Sequence, residues 1–268
     1  MATQPIYLLV TGPLPAELIE EAAAKGIVLD TMDFIAIETV IDAEMGAGIR
    51  VLSDQQLTAV FTSTNAVEAV KRWMDARRGS SRERPISEAG AMSGGSRDEA
   101  QRAPGWRIFC IEGATRRAVA DYFGEAAIAG TAESATALAK VVAGEGDENA
   151  RGTKEIFFFC GDQRREELPA MLRAKRFEVN EWIVYRTLLT PRKAERAYAG
   201  IAFFSPSAVE SYFSLNTVAD DVTLFAIGRT TAAAIQAKCP NAVIISDRPV
   251  KEALVRTMTD YFQTNNKE

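Results

Sequence analysis

Short apolar runs, bounded by turn formers and too brief for helices, alternate with stretches of helical spacing along most of this chain. That alternation constrains the fold more than any other feature. Ile6 to Val10 is continuously apolar and Thr11-Gly12-Pro13 forms a turn. Leu14, Leu18, Ile19 and Ala22 then recur at helical spacing over residues 14 to 25, before Gly26 and a second apolar run, Ile27 to Leu29. Further strands are predicted at Thr58 to Phe61, Arg107 to Ile111, Ala126 to Ala129, Ile156 to Phe159, Trp182 to Tyr185, Ile201 to Phe204, Leu224 to Ile227 and Val243 to Ile245. Unbroken apolar runs suit parallel strands covered on both faces. Their alternation with helices predicts an α/β fold built on parallel sheets.

The same plan occurs twice. Ser63-x-Asn65-Ala66-Val67-Glu68 matches Ser205-x-Ser207-Ala208-Val209-Glu210 at an offset of 142, and Phe109-x-Ile111 with Thr115 matches Phe225-x-Ile227 with Thr231 at an offset of 116. Ala137-Leu138 keeps the second offset with Ala253-Leu254. Constant order with one change of offset implies a duplicated architecture with an insertion of about 26 residues in one copy. Ile156 to Phe159, the helical pattern through Leu168 and Leu172, and Val179 repeat the strand, helix, strand of the N-terminus. The insertion shows in composition: residues 79 to 105 hold Ser80-Ser81, Pro85, Gly94-Gly95-Ser96 and Pro104 with little apolar content, as a flexible surface loop does. A length of 268 residues suits two domains, and the repeat by itself permits a cut near residue 150.

Histidine is absent, so the chain alone offers no imidazole for acid-base work, for a Ser-His-Asp or Cys-His nucleophile, or for a metal site. Cys110, Cys160 and Cys239 are too scattered for a disulfide framework or a zinc motif and read as structural thiols of a reducing cytoplasm. Acidic groups such as Asp30, Asp33, Glu166 and Glu167 lack metal-ligand spacing and read as solvated. A net charge of -5 argues against bulk attraction to nucleic acid or anionic lipid, and no apolar stretch has the length of a membrane span. The expectation is a cytoplasmic protein without metal or cofactor, acting on a small molecule.

Nucleotide-binding glycine motifs are missing. There is neither GxGxxG nor GxxxxGK, and Thr11-Gly12-Pro13-Leu14-Pro15 has the wrong glycine spacing and two prolines that remove backbone donors. What recurs is a hydroxyl-rich turn between strand and helix: Thr62-Ser63-Thr64-Asn65, Gly113-Ala114-Thr115, Ser205-Pro206-Ser207 and Gly228-Arg229-Thr230-Thr231. Such turns place free amides and hydroxyls at the positive end of a helix and so suit anions. Taken singly, their Ser and Thr residues are also ordinary helix caps. Several at matched positions in both repeats suit a ligand carrying several negative groups. From the residues alone, an enzyme and a non-catalytic module binding or sensing an anionic metabolite both remain open.

The run Phe203-Phe204-Ser205-Pro206-Ser207-Ala208-Val209, followed by Ile227-Gly228-Arg229-Thr230-Thr231-Ala232, resembles the uroporphyrinogen-III synthase family. Gly161-Asp162 leading to Leu168-Pro169 and Val184-Tyr185-Arg186-Thr187, together with Phe61-Thr62-Ser63-Thr64-Asn65-Ala66-Val67 and the turn ending at Thr115, extends the resemblance to nearly the whole chain outside residues 79 to 105. The resemblance implies two flavodoxin-like α/β domains joined by a two-stranded connector. One would comprise residues 1 to 36 plus 189 to 268, the other residues 37 to 188.

It also implies cyclisation of hydroxymethylbilane, a linear tetrapyrrole bearing many carboxylates, to uroporphyrinogen III with inversion of the last ring and loss of water. The enzyme would be a monomeric, cofactor-free lyase. Tyr185 would assist departure of the hydroxyl, with Thr115 and Thr231 binding substrate carboxylates. Ser63, Ser205, Ser207, Gly228 and Thr230 would support them. The sequence departs from the family pattern at Glu112, where a glycine is usual three residues before Thr115, and at Thr11-Gly12-Pro13, which lacks an arginine.

Overall fold

The apolar runs become the strands of two sheets in the computed structural model, which describes residues 5–53, 55–80, 105–144 and 154–265. The chain divides into two compact units, the first comprising residues 1–36 and 187–268 and the second residues 37–186.

The first unit holds β1 (Ile6–Val10), α1 (Ala16–Ala23) and β2 (Ile27–Thr31) from the start of the chain. From its end come β9 (Gly200–Phe203), α7 (Pro206–Phe213), β10 (Thr223–Ala226), α8 (Arg229–Gln236), β11 (Val243–Ile245) and α9 (Lys251–Asn265). Its five strands lie in the order β11-β10-β9-β1-β2 with every neighbouring pair parallel. This is the flavodoxin-like order read from one edge. Successive residues of β1 explain why the run is wholly apolar. Leu8 and Val10 pack on one face with Leu18, Ala22, Leu254 and Met258, and Leu9 packs on the other with Phe203, Val209 and Ala232.

The second unit contains α2 (Ala43–Ser53), β4 (Thr58–Phe61), α3 (Thr64–Ser80), β5 (Arg107–Ile111), α4 (Ala114–Phe123), β6 (Ile128–Ala132), α5 (Ala135–Gly144), β7 (Lys154–Gly161) and α6 (Glu167–Ala174). Strands β3 (Ile35–Thr39) and β8 (Phe177–Leu189) carry the chain from the first unit to the second and back. The sheet order is β3-β8-β7-β4-β5-β6. Val40 N–H bonds Val184 O and Thr190 N–H bonds Phe34 O, advancing in opposite directions along the two strands, so β3 is antiparallel in an otherwise parallel sheet. One face packs Phe61, Phe159, Trp106 and Phe123 as a chain of stacked rings with neighbouring centroids 5.2 to 5.5 Å apart. The other packs Val60, Phe109, Phe158 and Cys160 against Leu138, Val142, Leu168 and Leu172. Truncating the fully buried Phe61 or Phe159 to alanine would cost about 3–5 kcal/mol through lost transfer free energy and the cavity left behind.

The repeat seen in sequence is a repeat of topology. β9, β10 and β11 take the places that β4, β5 and β6 take in the other sheet, while β1 and β2 match β7 and the first part of β8. The offset changes between α3 and β5, where residues 81–104 of the expected insertion lie outside the described residues; its first two positions are the end of α3.

Some elements differ from expectation. The strand expected at Ala126 to Ala129 is shifted. Glu125–Ala127 form one turn of 3-10 helix after Gly124, and β6 begins at Ile128. Val179 and Trp182 to Tyr185 belong to one long strand, because the polar residues between them have partners along the sheet. Asn180 donates to Glu155 at 2.7 Å, and Glu181 pairs with Arg164 and Arg173. Asp30 is not merely solvated, since its carboxylate accepts from Tyr198 at 2.9 Å and pairs with Arg196 at 3.3 Å.

Candidate active site

Parallel strands bring their carboxyl ends to a single edge of each sheet, and all the hydroxyl-rich turns leave from those ends. Chain order reverses between β1 and β9 in the first unit and between β7 and β4 in the second. The crevice outside such a reversal is where open α/β sheets bind ligands.

At the β7–β4 reversal, Tyr185 leans over the end of the neighbouring strand. The β7–β8 register slips between Cys160 and Gly161, so that Gly161 comes opposite Tyr185, and Asp162 N–H donates to Tyr185 O at 3.1 Å. Such slips re-aim side chains beside functional sites. Glycine leaves room for the ring, because a Cβ on residue 161 would lie 2.4 Å from Tyr185 Cζ and 2.7 Å from its hydroxyl. The phenol donates to Ser63 Oγ at 3.0 Å, and the Asn65 side chain bonds the same hydroxyl. Burial pushes the Tyr185 pKa above that of an ordinary phenol, helped by Cys160 and Asp162, while the Ser63 and Asn65 hydrogen bonds oppose the rise. Tyr185 is therefore a protonated donor at neutral pH.

Ser63 precedes α3 and takes Asn65 N–H on its hydroxyl at 3.1 Å, an arrangement that ties the turn to the tyrosine. On the adjacent strand end, Gly113 caps α4 through its backbone alone with φ of 83°, a left-handed conformation that favours glycine. Thr115 lies buried one residue inside that helix. It is not a cap. Glu112, one residue before Gly113, accepts a hydrogen bond from Thr131. Its carboxylate is thus engaged with the end of β6.

In the first unit, Ser205 is a true N-cap, its hydroxyl accepting Ala208 N–H at 3.1 Å, with Pro206 at the first helical position. Ser207 is buried in the first turn of α7. Gly228 precedes α8 without a side-chain cap, and nothing lies within 4 Å of where its Cβ would be. The amides of Arg229, Thr230 and Thr231 open that helix, where backbone N–H groups have no intrahelical partner. Thr230 is exposed and Thr231 buried. Thr11 is used structurally, its hydroxyl and amide both donating to Ala202 O.

The structure thus joins Tyr185 directly to Ser63, places Thr115 on the next strand end of that unit, and gathers Ser205, Ser207, Gly228, Thr230 and Thr231 at the strand ends of the other. Two residues outside the expected site have parts in it: Asn65, which bonds the phenol, and Gly161, which makes room for the ring. Asn65 stood in a recognised turn and Gly161 in a recognised motif, yet neither spacing revealed its partner. Cys110 and Cys160 are buried, and burial pushes their thiols up to about 11 and about 12. Among the described residues no group of three or more Cys, Asp or Glu is placed to hold a metal, and no helix is long and apolar enough to cross a membrane.

Fold and strand-end turns together define a two-unit, flavodoxin-like α/β protein whose hydroxyl-rich turns line the carboxyl ends of its strands. A family model described as uroporphyrinogen-III synthase HemD matches residues 16–256, and the chain belongs to that family. Its members are cyclising lyases of tetrapyrrole biosynthesis that work without a cofactor. Among solved structures, a mutant uroporphyrinogen III synthase from the extremely thermophilic bacterium Thermus thermophilus is similar at 17% identity, over 98% of this chain and 100% of that one, with a TM-score of 0.60. The uroporphyrinogen-III synthetase of Helicobacter pylori is similar at 13% identity over 96% and 99% of the two chains, with a TM-score of 0.58. At such identities the likeness establishes the fold. No curated protein sequence matches significantly.

Proposed function

We propose that this chain closes hydroxymethylbilane to uroporphyrinogen III, with Tyr185 as the group that assists loss of the terminal hydroxyl. The observation that carries this role is the geometry of the phenol: half-buried, protonated, held by Ser63 and Asn65 at a sheet reversal, and seated over a glycine where any Cβ would crowd the ring. As the carbon–oxygen bond breaks, the phenolic proton passes to the departing oxygen, which leaves as water; hydrogen bonds from Ser63 and Asn65 stabilise the phenolate, which regains a proton from the one released when the attacking pyrrole closes the ring. The electron-deficient carbon that remains closes unaided to the wrong isomer. Catalysis is then largely a matter of holding the chain so that the last ring attacks through its substituted carbon, by way of a spirocyclic intermediate.

Amides and hydroxyls at the ends of β4, β5, β9 and β10, with Thr115 and Thr231 foremost and Ser63, Ser205, Ser207, Gly228 and Thr230 in support, hold the substrate carboxylates. Neutral donors suit this work because they bind an anion without charged side chains competing for one another. This reading makes the protein a cytoplasmic monomer that engages neither nucleic acid nor membrane, supported by its acidic balance and its unpaired thiols. The test is to supply freshly made hydroxymethylbilane and resolve the product isomers. Isomer III above the spontaneous background is expected; isomer I alone at the spontaneous rate refutes the proposal.

A further inference from the structure

The β1–β9 reversal of the first unit contains a cation that neither strand supplies. Lys251, the first residue of α9, reaches across the turn after β1. Its ammonium donates to Pro13 O at 3.2 Å and lies 4.9 Å from the centroid of the Phe204 ring, which follows β9. A Cβ on Gly12 would lie 3.1 Å from that ring and 3.9 Å from Lys251 Nζ, so glycine lets ring and ammonium close over the end of β1.

This is an unfavourable place for a positive charge. The amino end of a 15-residue helix is the positive end of its dipole. The side chain is half-buried, and burial lowers its pKa while Asp33 and Glu252 raise it. Among the described residues no carboxylate comes within ion-pair distance of Lys251; its one hydrogen bond is to the neutral Pro13 carbonyl. Packing against the aromatic face recovers part of the cost.

Helix building does not require the lysine. At the offset of 116 that relates Ala137 to Ala253, the counterpart of Lys251 is Ala135, the first residue of α5, and that helix is capped by Ser134 Oγ accepting Ala137 N–H at 3.2 Å. At the offset of 142 the counterpart of Phe204 is Thr62. The cation and its aromatic seat therefore belong to one copy of the duplicated plan and are absent from the other.

We propose that Lys251 is a substrate-binding residue, its two remaining N–H bonds held toward the β1–β9 crevice to take a carboxylate of the linear tetrapyrrole. An arriving carboxylate would supply a direct ion-pair partner where Asp33 and Glu252 act only at longer range, and the hydrogen bond would be charge-assisted on both sides. The proposal rests on the synthase reading above and adds to its neutral donors a cationic contact at the β1–β9 crevice.

The experiment measures KM and kcat for isomer-III formation from hydroxymethylbilane with the wild-type chain, Lys251→Gln and Lys251→Arg, alongside thermal melting. Lys251→Gln should raise KM by about tenfold, with kcat changed far less and the melting temperature not lowered. Lys251→Arg should restore most of the affinity because it restores the charge. An unchanged KM in Lys251→Gln overturns the proposal. So does a KM that rises together with a fall in melting temperature and is not rescued by Lys251→Arg, since that pattern marks a packing role. Isomer I alone from the wild-type chain would instead remove the synthase reading on which the proposal stands. Isomer III from the wild type with an indifferent Lys251→Gln removes this inference only.

Discussion

Substituting Gly161 by alanine tests the tyrosine mechanism without touching the tyrosine. The added methyl would sit 2.4 Å from Tyr185 Cζ, whereas carbon atoms pack at about 3.5–4.0 Å, so the ring must withdraw by about 1 Å or more. Its hydroxyl is bonded to Ser63 Oγ at 3.0 Å, and a displacement of that size leaves the bond at about 4 Å, beyond hydrogen-bonding range. Overpacking of this kind costs about 1–3 kcal/mol of stability, which a domain of ordinary stability survives. Turnover should fall by about 10²–10⁴-fold, the range for a displaced general acid, and Tyr185→Phe should lose a similar amount. The double variant should be no slower than Tyr185→Phe alone, since both changes disable one device. The assay is isomer-resolved single turnover, with thermal melting to establish that each variant is folded. A folded Gly161→Ala protein turning over at the wild-type rate would refute the positioning argument. Losses that multiply in the double variant would show that Gly161 acts elsewhere.

Other outcomes follow from the same geometry. Because the Tyr185 pKa lies above the ordinary phenol value, its proton is present through neutral pH and is lost only as pH climbs past about 10. Turnover should therefore show no alkaline limb near pH 8, and the tyrosine's contribution to stability should be lost only in that same high-pH window; a pH–rate profile and alkaline melting check both. Thr231→Val should weaken substrate binding by about 1–2 kcal/mol with little change in melting, because Gly228 and not Thr231 caps α8; a melting loss equivalent to about 1 kcal/mol would instead mark the hydroxyl as a cap. In the native protein at pH 8, Cys110 and Cys160 should resist a thiol reagent and react only on unfolding, as their raised pKa values and burial require.

Much of the fold was legible because parallel strands are buried on both faces and so announce themselves as unbroken apolar runs. β1, β4, β5 and β11 fall where the runs fall. β3 carries no such mark. It lies at the edge of its sheet, most of its residues are exposed, and its sequence Ile35-Ala36-Ile37-Glu38-Thr39 is held by pairing with β8 rather than by a buried face. For the same reason β8 looked like two short strands: Asn180 and Glu181 interrupt the apolar pattern, and their partners lie on other elements. The stretch Gly124 to Gly130, mostly glycine and alanine, gave too little pattern to place the start of β6, which follows the 3-10 turn at Glu125–Ala127.

The candidate site divides along a similar line. Turn chemistry is local, so Ser63, Thr115, Ser205 and Thr231 could be picked out as hydroxyls at strand-to-helix junctions. Which hydroxyl caps and which is left inside a first turn is not local in that sense. It depends on where the helix starts, and here the glycines at 113 and 228 take the cap positions while the threonines lie within. The pairings are more distant still, with Tyr185 and Ser63 separated by 122 residues and Lys251 and Pro13 by 238.

Duplication accounts for what the two units share and also limits what the shared part can do. Backbone amides and hydroxyls at the ends of β4, β5, β9 and β10 suit negative charge wherever it is presented, and on the proposed reading two copies of one plan would hold carboxylates without distinguishing one end of a linear molecule from the other. Direction has to come from groups present once. Tyr185 is such a group, on a strand that runs past the sheet's common length into the connector, and the Lys251–Phe204 pair is another, at positions where the other copy has Ala135 and Thr62. Each stands over a chain reversal, one proposed to donate a proton and the other to offer a charge. On the proposed mechanism the asymmetry of the reaction would be carried by two or three side chains added to a symmetric frame, and those are the positions at which substitution should separate loss of turnover from loss of binding.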